Sequence, residues 1–238
     1  MTNVTSIRAR SKDLLTSTTF IASTIIGTIV LMTLVGGLGF LIGLAVALVT
    51  FWAMRWDWSY FGVSRPDWGR TLWGALGYTL LIIFLVDVLL TPLAEHYTNA
   101  PHDLSGLYFI KGNFLNLLLF TLFMWVVAAF GEELFFRGYI MKRLAALFGN
   151  TNSAWVSGAV LSSVAFGVVH FYQGVSGVIT AGTVGLILAY AFYHNRNNLV
   201  ICMLTHGIYD MFCLSMIYFD KETVITEWAH QFLFSIIN

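Results

Sequence analysis

A polar stretch at the end of a long apolar run has the sequence Phe130-Gly131-Glu132-Glu133-Leu134-Phe135-Phe136-Arg137-Gly138. The apolar run before it, 113–130, is long enough to lie in a membrane, where an ionisable side chain is costly and two adjacent ones are costlier. Because like charges this close cannot both ionise cheaply, one carboxyl group must keep its proton or gain a cationic or metal partner. Arg137 follows Glu133 by four residues, so on a helix the two share a face. The stretch therefore indicates either a buried functional site or a solvated Glu–Arg pair at a helix end.

The composition is typical of a membrane protein. Of the 238 residues, 58% are hydrophobic and 10% are charged, whereas a soluble domain carries about 25% charged residues. We therefore predict an all-α, polytopic protein of the lipid bilayer. The formal net charge is zero, so we expect no nucleic-acid partner. Cys202 and Cys213 would lie roughly 16 Å apart along one helix, which is too far for a disulfide.

Apolar segments predict seven membrane spans and leave an eighth open. The cluster Gly36-Gly37-Leu38-Gly39 divides the first apolar run into a hairpin of two spans, 17–35 and 38–54, because one undivided helix would be about twice as long as the hydrocarbon layer is thick. The other predicted spans are 71–93, 113–130, 152–172, 175–193 and 199–218. The tail 223–237 is short and could be an eighth span or an interfacial helix. We expect a single domain over 1–238 that begins with a cytoplasmic arm, 1–16.

Two aspartates lie near or within the third span. Asp67 precedes it and is a candidate N-cap for a helix that begins at Trp68. Asp87 lies inside the span, where it is either a functional residue or, as we favour, a hydrogen-bonded interior residue. The tryptophan- and arginine-rich segment 55–70 before the span has the composition of an anchor at the membrane interface.

Ten of the twelve basic residues fall at one end of the predicted spans. They are Arg8, Arg10, Lys12, Arg55, Arg65, Arg70, Arg137, Lys142, Arg143 and Arg196. The loops at the other end carry Glu95, Asp103, Lys111, Asp220, Lys221 and Glu222. The positive-inside rule therefore places the N-terminus and the Glu132–Glu133 end of the fourth span on the cytoplasmic side, and the loop around Pro101 on the opposite side.

Two further polar sets interrupt the spans. Phe166 and His170 close the fifth span, and His206 and Asp210 lie four residues apart in the seventh, on one helix face. If 149–151 forms a helical hairpin, Glu133 and His170 lie within about three residues, or roughly 5 Å, of the same level. His206 can reach that level from the turn 195–198. The spacing thus permits one shared site.

Together the motifs Glu132-Glu133-x-x-x-Arg137, Phe166-x-x-x-His170 and His206-x-x-x-Asp210 resemble those of the CAAX prenyl protease and bacteriocin-processing (CPBP, or Abi) family of intramembrane endopeptidases. The segment 61–68 resembles a loop of many bacterial members, so the resemblance covers about 60–235. Asp210 stands where many members have Asn. The resemblance implies hydrolysis of a peptide bond in a membrane-associated peptide or protein substrate. It also implies a multi-pass protein in the cytoplasmic membrane of a prokaryote.

The candidate catalytic residues are Glu132, Glu133, Arg137, His170, His206 and Asp210. A desolvated carboxylate can act as general base towards water, and the histidines can polarise the substrate carbonyl or ligate a divalent metal that does so. The candidate metal ligands are Glu132, Glu133, His170 and His206, with zinc as the expected ion. No His-Glu-x-x-His motif is present, so the sequence does not demand a metal. We favour a glutamate-activated water assisted by histidine, with Arg137 neutralising or orienting a glutamate.

Other functions stay open at this point. The run Gly174-Val175-Ser176-Gly177 resembles the Gly-x-Ser-Gly of rhomboid serine proteases, with His206 available as base. That alternative leaves Glu132, Glu133 and His170 without a role. A non-catalytic scaffold or bacteriocin immunity factor could keep the same pocket. A transporter is disfavoured because inverted repeats are not evident.

Overall fold

The protein is built from helices. The computed structural model describes residues 2–195 and 198–237. The helices are α1 (Thr2–Leu15), α2 (Thr18–Val35), α3 (Gly37–Ala53), α4 (Trp68–Thr98), α5 (Phe114–Leu147), α6 (Asn152–Val169), α7 (Gly174–His194), α8 (Leu199–Tyr218) and α9 (Val224–Ile237). Short 3₁₀ turns lie at Trp58–Phe61, Ser105–Ile110 and Phe171–Gln173. These residues contain no strand, which confirms the all-α prediction. Arg196, one of the predicted basic residues, lies outside the described residues.

Most of the helices have the length and composition of membrane spans. Within the described part of the chain, six helices are long and apolar enough to cross a bilayer. They are α2, α4, α5, α6, the run Phe171–His194 that contains α7, and α8. Helix α3 is also apolar but has 17 residues, and α9 has 14. The prediction of a polytopic helical membrane protein is confirmed. The total of seven or eight spans stays a prediction.

The first two apolar helices form the hairpin that the glycine cluster predicted. Helices α2 and α3 meet at Gly36, whose φ of +58° lies in the left-handed region that favours glycine. A Cβ atom at Gly39 would lie 2.3 Å from the backbone nitrogen of Met32. Only glycine lets the two helices approach this closely directly after the turn. The N-terminal arm is itself helical, as α1, and Arg8 lies over the ring of Trp52 in α3.

Helix α5 is much longer than predicted. The predicted span ended at Phe130, whereas the helix continues to Leu147 and has 34 residues. No proline interrupts 131–147, and the charges that suggested a helix end pair with each other inside the bundle. Glu133 therefore lies within the helix, roughly 21 Å before its C-terminal end. The alternative of a solvated Glu–Arg pair at a helix end is therefore wrong, whereas the bounds of the membrane span stay a prediction.

Several other helix boundaries also differ from prediction. Helix α4 begins at Trp68 with Asp67 as its N-cap, as predicted: Asp67 Oδ1 accepts a hydrogen bond from the backbone N–H of Arg70 at 3.3 Å. The helix continues to Thr98, beyond the end of the predicted span 71–93. Helix α6 ends at Val169, three residues earlier than predicted, because Phe171–Gln173 forms a separate 3₁₀ turn. Cys202 and Cys213 are both free thiols, as predicted.

Helices α5 and α6 form the hairpin that was used to predict that Glu133 and His170 lie at the same level. Gly149 and Asn150 have positive φ values of 93° and 56°, and Thr151 caps α6 by accepting a hydrogen bond from Ala154 N–H at 3.2 Å. Further along, Ser162 Oγ donates to the carbonyl of Phe136 at 2.9 Å. This register brings the Phe166–His170 end of α6 alongside the glutamates of α5.

Charged residues gather at the two ends of the bundle. At one end, Lys142 and Arg143 of α5 donate hydrogen bonds to Ser59 and Tyr60 in the loop after α3. At the other end, Lys111 forms ion pairs with Asp220, at 2.6 Å, and with Glu222. The hydrogen bond from Lys111 holds the pKa of the Asp220 carboxyl below its ordinary value. The segregation agrees with the predicted charge asymmetry. Which end faces the cytoplasm stays a prediction.

Candidate active site

Glu133 is the centre of a buried polar network. Its Oε1 atom accepts hydrogen bonds from Arg137 Nη1 at 2.7 Å and from His206 Nδ1 at 2.8 Å. Glu133 is 0% exposed, Arg137 1% and His206 5%. The network joins the first and the third predicted motif, which lie 73 positions apart in the chain.

Arg137 holds this network to the rest of the bundle. Its Nη2 donates to the carbonyl of Gly185 in α7 at 3.1 Å. Its guanidinium carbon lies 4.6 Å from the ring centroid of Phe166 in α6, a cation–π distance. A buried carboxylate requires such partners, because an unpaired charge in the interior costs several kcal/mol. The Glu133 carboxyl, one of the two adjacent carboxyl groups, thus has the cationic partner that the sequence led us to expect.

The position of His206 places it between two carboxylates. Its Nδ1 is bonded to Glu133, and its Nε2 lies 3.6 Å from Oδ2 of Asp210, one helical turn later. That second distance is longer than a hydrogen bond but short enough for an ion pair. Asp210 Oδ2 makes no hydrogen bond within the described part of the chain. This oxygen is therefore available to orient the imidazole of His206.

His170 has a defined tautomer when its ring is neutral. Its Nδ1 lies 2.6 Å from the carbonyl oxygen of Phe166. Because a carbonyl only accepts, Nδ1 carries the proton, and Nε2 keeps its lone pair. The ring of Phe166 separates the two histidines, with centroid distances of 4.6 Å to His170 and 6.0 Å to His206. His170 is half-buried, so its free nitrogen belongs to a part of the site that other molecules can approach.

Glu132 has a different environment from Glu133. It is half-buried, like His170 and Asp210, and it lies outside the Glu133–Arg137–His206 network. Successive residues on a helix point about 100° apart, so adjacent carboxylates face different surroundings. The two glutamates of the motif are therefore not equivalent.

The helix that carries both glutamates is irregular at this point. Helix α5 is π-helical over Trp125–Glu132 and again over Leu134–Met141, on both sides of Glu133. Stretches of π-helix are rare and occur frequently at functional sites. The sequence did not predict them.

Trp125 is a site neighbour that the sequence analysis missed. Its indole ring lies against Gly207, where a Cβ atom would come within 2.5 Å of the ring. Gly207 directly follows His206, so this contact sets how closely α8 approaches α5 beside the network. The only sequence signal was a glycine next to a motif histidine.

The four candidate metal ligands do not form a ready-made cluster. Among the described residues, no group of three or more His, Cys, Asp or Glu side chains is arranged to hold an ion. Glu133 and His206 are bonded to each other, whereas the bond from His170 Nδ1 to a carbonyl leaves Nε2 available to a ligand. The metal site expected from Glu132, Glu133, His170 and His206 stays a prediction, and no step of the chemistry below depends on it.

Ser176 is not paired with a histidine in the described residues. It is fully buried near the start of α7, and its hydroxyl makes no hydrogen bond there. Both ring nitrogens of His206 are directed at carboxylates. The Ser–His arrangement of the rhomboid-like alternative therefore has no geometric support.

The comparison with known families agrees with the motifs. Residues 114–212 match the sequence model of a family described as type II CAAX prenyl endopeptidase Rce1-like. The match covers less than half of the chain and includes every candidate catalytic residue. It confirms the resemblance that the three motifs indicated. Neither a curated protein nor a solved structure matched the chain.

Proposed function

We propose that the protein is an intramembrane protease in which Glu132 activates the water that hydrolyses the peptide bond of a membrane-associated substrate. The match of residues 114–212 to the model of type II CAAX prenyl endopeptidases supports the protease assignment. The observation that carries this proposal is the difference between the two glutamates. Glu133 is buried and bonded to Arg137 and His206. Glu132, beside it, is half-buried and outside that network. A general base must reach the proton that it removes, and Glu132 has the better access.

The histidines supply the remaining groups for hydrolysis. His170, with its lone pair on Nε2, can accept a hydrogen bond from the attacking water and so orient it. His206 in its protonated form donates from Nδ1 to Glu133. Its Nε2 lies 3.6 Å from Oδ2 of Asp210, too far for a hydrogen bond, and the Nε2–H can turn to the substrate carbonyl oxygen, where negative charge develops. Glu132 takes a proton from water as the C–O bond forms. It can return that proton to the leaving amine as the C–N bond breaks, so the step is balanced.

The experiment compares three variants on one membrane-embedded peptide, with and without a prenylated cysteine. Glu132→Gln keeps the shape but removes the basicity, so cleavage should fall by about 10²-fold to 10⁴-fold while the thermal stability stays at the wild-type value. Glu133→Gln should lower stability as well as activity, because Arg137 loses its buried partner. Ser176→Ala should cleave at nearly the wild-type rate. Protein levels and melting temperatures are measured for each.

Other outcomes would assign the protein elsewhere. Full activity in both glutamine variants, with loss in Ser176→Ala, would replace this mechanism with the rhomboid-like one. A wild-type protein that is folded yet inactive on both peptides would favour the non-catalytic scaffold or immunity factor. Metal content and cleavage after chelation, measured on the same samples, test the expected zinc separately.

A further inference from the structure

Helix α4 lies outside the family match but is hydrogen-bonded to the helix that carries His206 and Asp210. Thr79 Oγ1 in α4 donates to the carbonyl of Thr205 in α8 at 3.3 Å. Two turns further along α4, Asp87 Oδ1 accepts a hydrogen bond from the hydroxyl of Tyr209 at 2.8 Å. Thr205 directly precedes His206, and Tyr209 directly precedes Asp210. His206 and Asp210 are therefore each preceded in the chain by a residue that is hydrogen-bonded to α4.

These bonds fix the rotation of α8 about its own axis. Thr205 and Tyr209 are four residues apart and share one face, and His206 and Asp210 share the neighbouring face about 100° away. A rotation of about 10° would move side-chain atoms that lie about 6 Å from the axis by about 1 Å. That displacement would break the 2.8 Å bond between His206 and Glu133. Misplacement of about this size can lower a rate by about 10²-fold.

The shape of α4 is suited to this role. Thr79 and Asp87 are eight residues apart, which in a regular α-helix would place them about 80° apart around the axis. The stretch Ile83–Leu90 is π-helical, and its wider turns rotate the chain less per residue. Asp87 is thereby brought back towards the face that carries Thr79. An aspartate within an apolar helix is costly, and its contact with Tyr209 gives it a function.

We propose that Asp87 and Tyr209 form a positioning pair, which holds α8 in the rotation that keeps His206 on Glu133 and Asp210 beside His206. The inference rests on the proposed function for its catalytic consequence. Its structural consequence, the placement of His206, does not depend on any activity. Neither residue touches the reacting atoms, so both act through α8.

The kinetic test uses a double-mutant cycle. Tyr209→Phe and Asp87→Ala should each lower kcat roughly ten-fold or more with little change in KM, because the machinery is misplaced while the substrate surface is kept. The double variant should be no slower than the slower single variant, since both remove one interaction. Asp87→Asn keeps an oxygen that accepts from Tyr209 and should restore most of the rate. Tyr218→Phe is the matched control: it lies on the same helix, and its hydroxyl makes no hydrogen bond within the described part of the chain.

A second readout needs no substrate. The rate at which diethyl pyrocarbonate modifies His206, followed by mass spectrometry, reports how well the ring is held in its buried position. It should rise in Tyr209→Phe and Asp87→Ala and stay at the wild-type value in Asp87→Asn and Tyr218→Phe. If the wild type cleaves nothing, the proposed function fails, and a raised modification rate still supports the positioning pair. Should Asp87→Ala fail to fold, Tyr209→Phe, which removes one oxygen atom, carries the same comparison.

Three results would overturn the positioning pair. One is a modification rate of His206 that is unchanged in both single variants. Another is a loss of kcat in Tyr218→Phe equal to that in Tyr209→Phe. The third is a double variant whose losses add, which would mean that the two side chains act independently.

Discussion

Two neighbouring carboxyl groups of one helix have different surroundings because of where each side chain points. Glu133 faces the bundle interior, where Arg137 and His206 satisfy its charge. Glu132 is half-buried and lies outside the network of these three residues. An arginine four residues after the second glutamate is thus a structural partner of that glutamate alone. In the proposed mechanism, this division leaves the first glutamate available as the general base.

The structural task of Arg137 can be tested by removing its charge. Arg137→Met leaves Glu133 buried without its guanidinium partner, so unfolding should become easier by about 3–5 kcal/mol. Denaturant unfolding in detergent measures the change. Combining Arg137→Met with Glu133→Gln should recover part of the loss, because the buried carboxylate then no longer carries a charge. Glu132→Gln, outside the network, is the control and should unfold like the wild type.

The opposite pattern would identify Arg137 as a catalytic residue. An Arg137→Met protein with wild-type stability but no activity would mean that the guanidinium contacts the substrate and does not stabilise Glu133. The same result would remove the physical basis for choosing Glu132 as the general base, since Glu133 would then no longer be distinguished by a structural pairing with Arg137.

At the scale of helices, the sequence predicted contacts better than it predicted lengths. The turn at 149–151 and the i, i+4 spacings placed the three motifs near one level, because helical rise and period follow directly from residue number. The predicted span 113–130 is shorter than α5 because Glu132, Glu133 and Arg137 were counted as interfacial charges. Their mutual pairing is a tertiary contact that no local pattern shows. The π-helical stretches and the contact between Trp125 and Gly207 depend on tertiary packing in the same way.

Gly207 offers a test of how closely α5 and α8 must approach. In Gly207→Ala the new methyl group would collide with the indole of Trp125, so α8 should move away from α5 and lengthen the bond between His206 and Glu133. We expect cleavage to fall about ten-fold or more and the melting temperature to drop. Trp125→Leu added to Gly207→Ala makes room for the methyl group and should restore part of both. A neighbouring glycine in an open position, Gly77, is the control, because a Cβ there meets no atom within 4 Å.

A result without coupling would contradict this account. If Gly207→Ala cleaves and melts like Gly77→Ala, the glycine is not needed for the approach of the helices. If Trp125→Leu makes the Gly207→Ala protein worse, the indole has a separate role at the site.

For the whole molecule, the two ends of the bundle differ in charge, and the site lies between them. The loop 55–67 and the C-terminal end of α5 are joined by hydrogen bonds from Lys142 and Arg143. At the other end, the backbone N–H of Asp103 donates to the carbonyl of Gln173 at 3.0 Å, and His102 bonds to the side chain of Gln173. Gln173 lies three residues after His170. The His170 side of the site is therefore the side nearer the 99–113 loop.

The orientation of the protein in the membrane therefore decides from which face a substrate reaches the His170 side of the site. The excess of lysine and arginine at the 55–67 end predicts that this end faces the cytoplasm and the 99–113 loop faces the other side. Single cysteines at Arg65 and His102, in a background with Cys202→Ala and Cys213→Ser, should react with an impermeant maleimide from opposite sides of sealed vesicles. Arg65→Cys should label only from the cytoplasmic side. Labelling of both from one side would mean that the charged ends do not lie on opposite faces of the membrane, and reversed labelling would place the N-terminus outside and the His170 side of the site towards the cytoplasm.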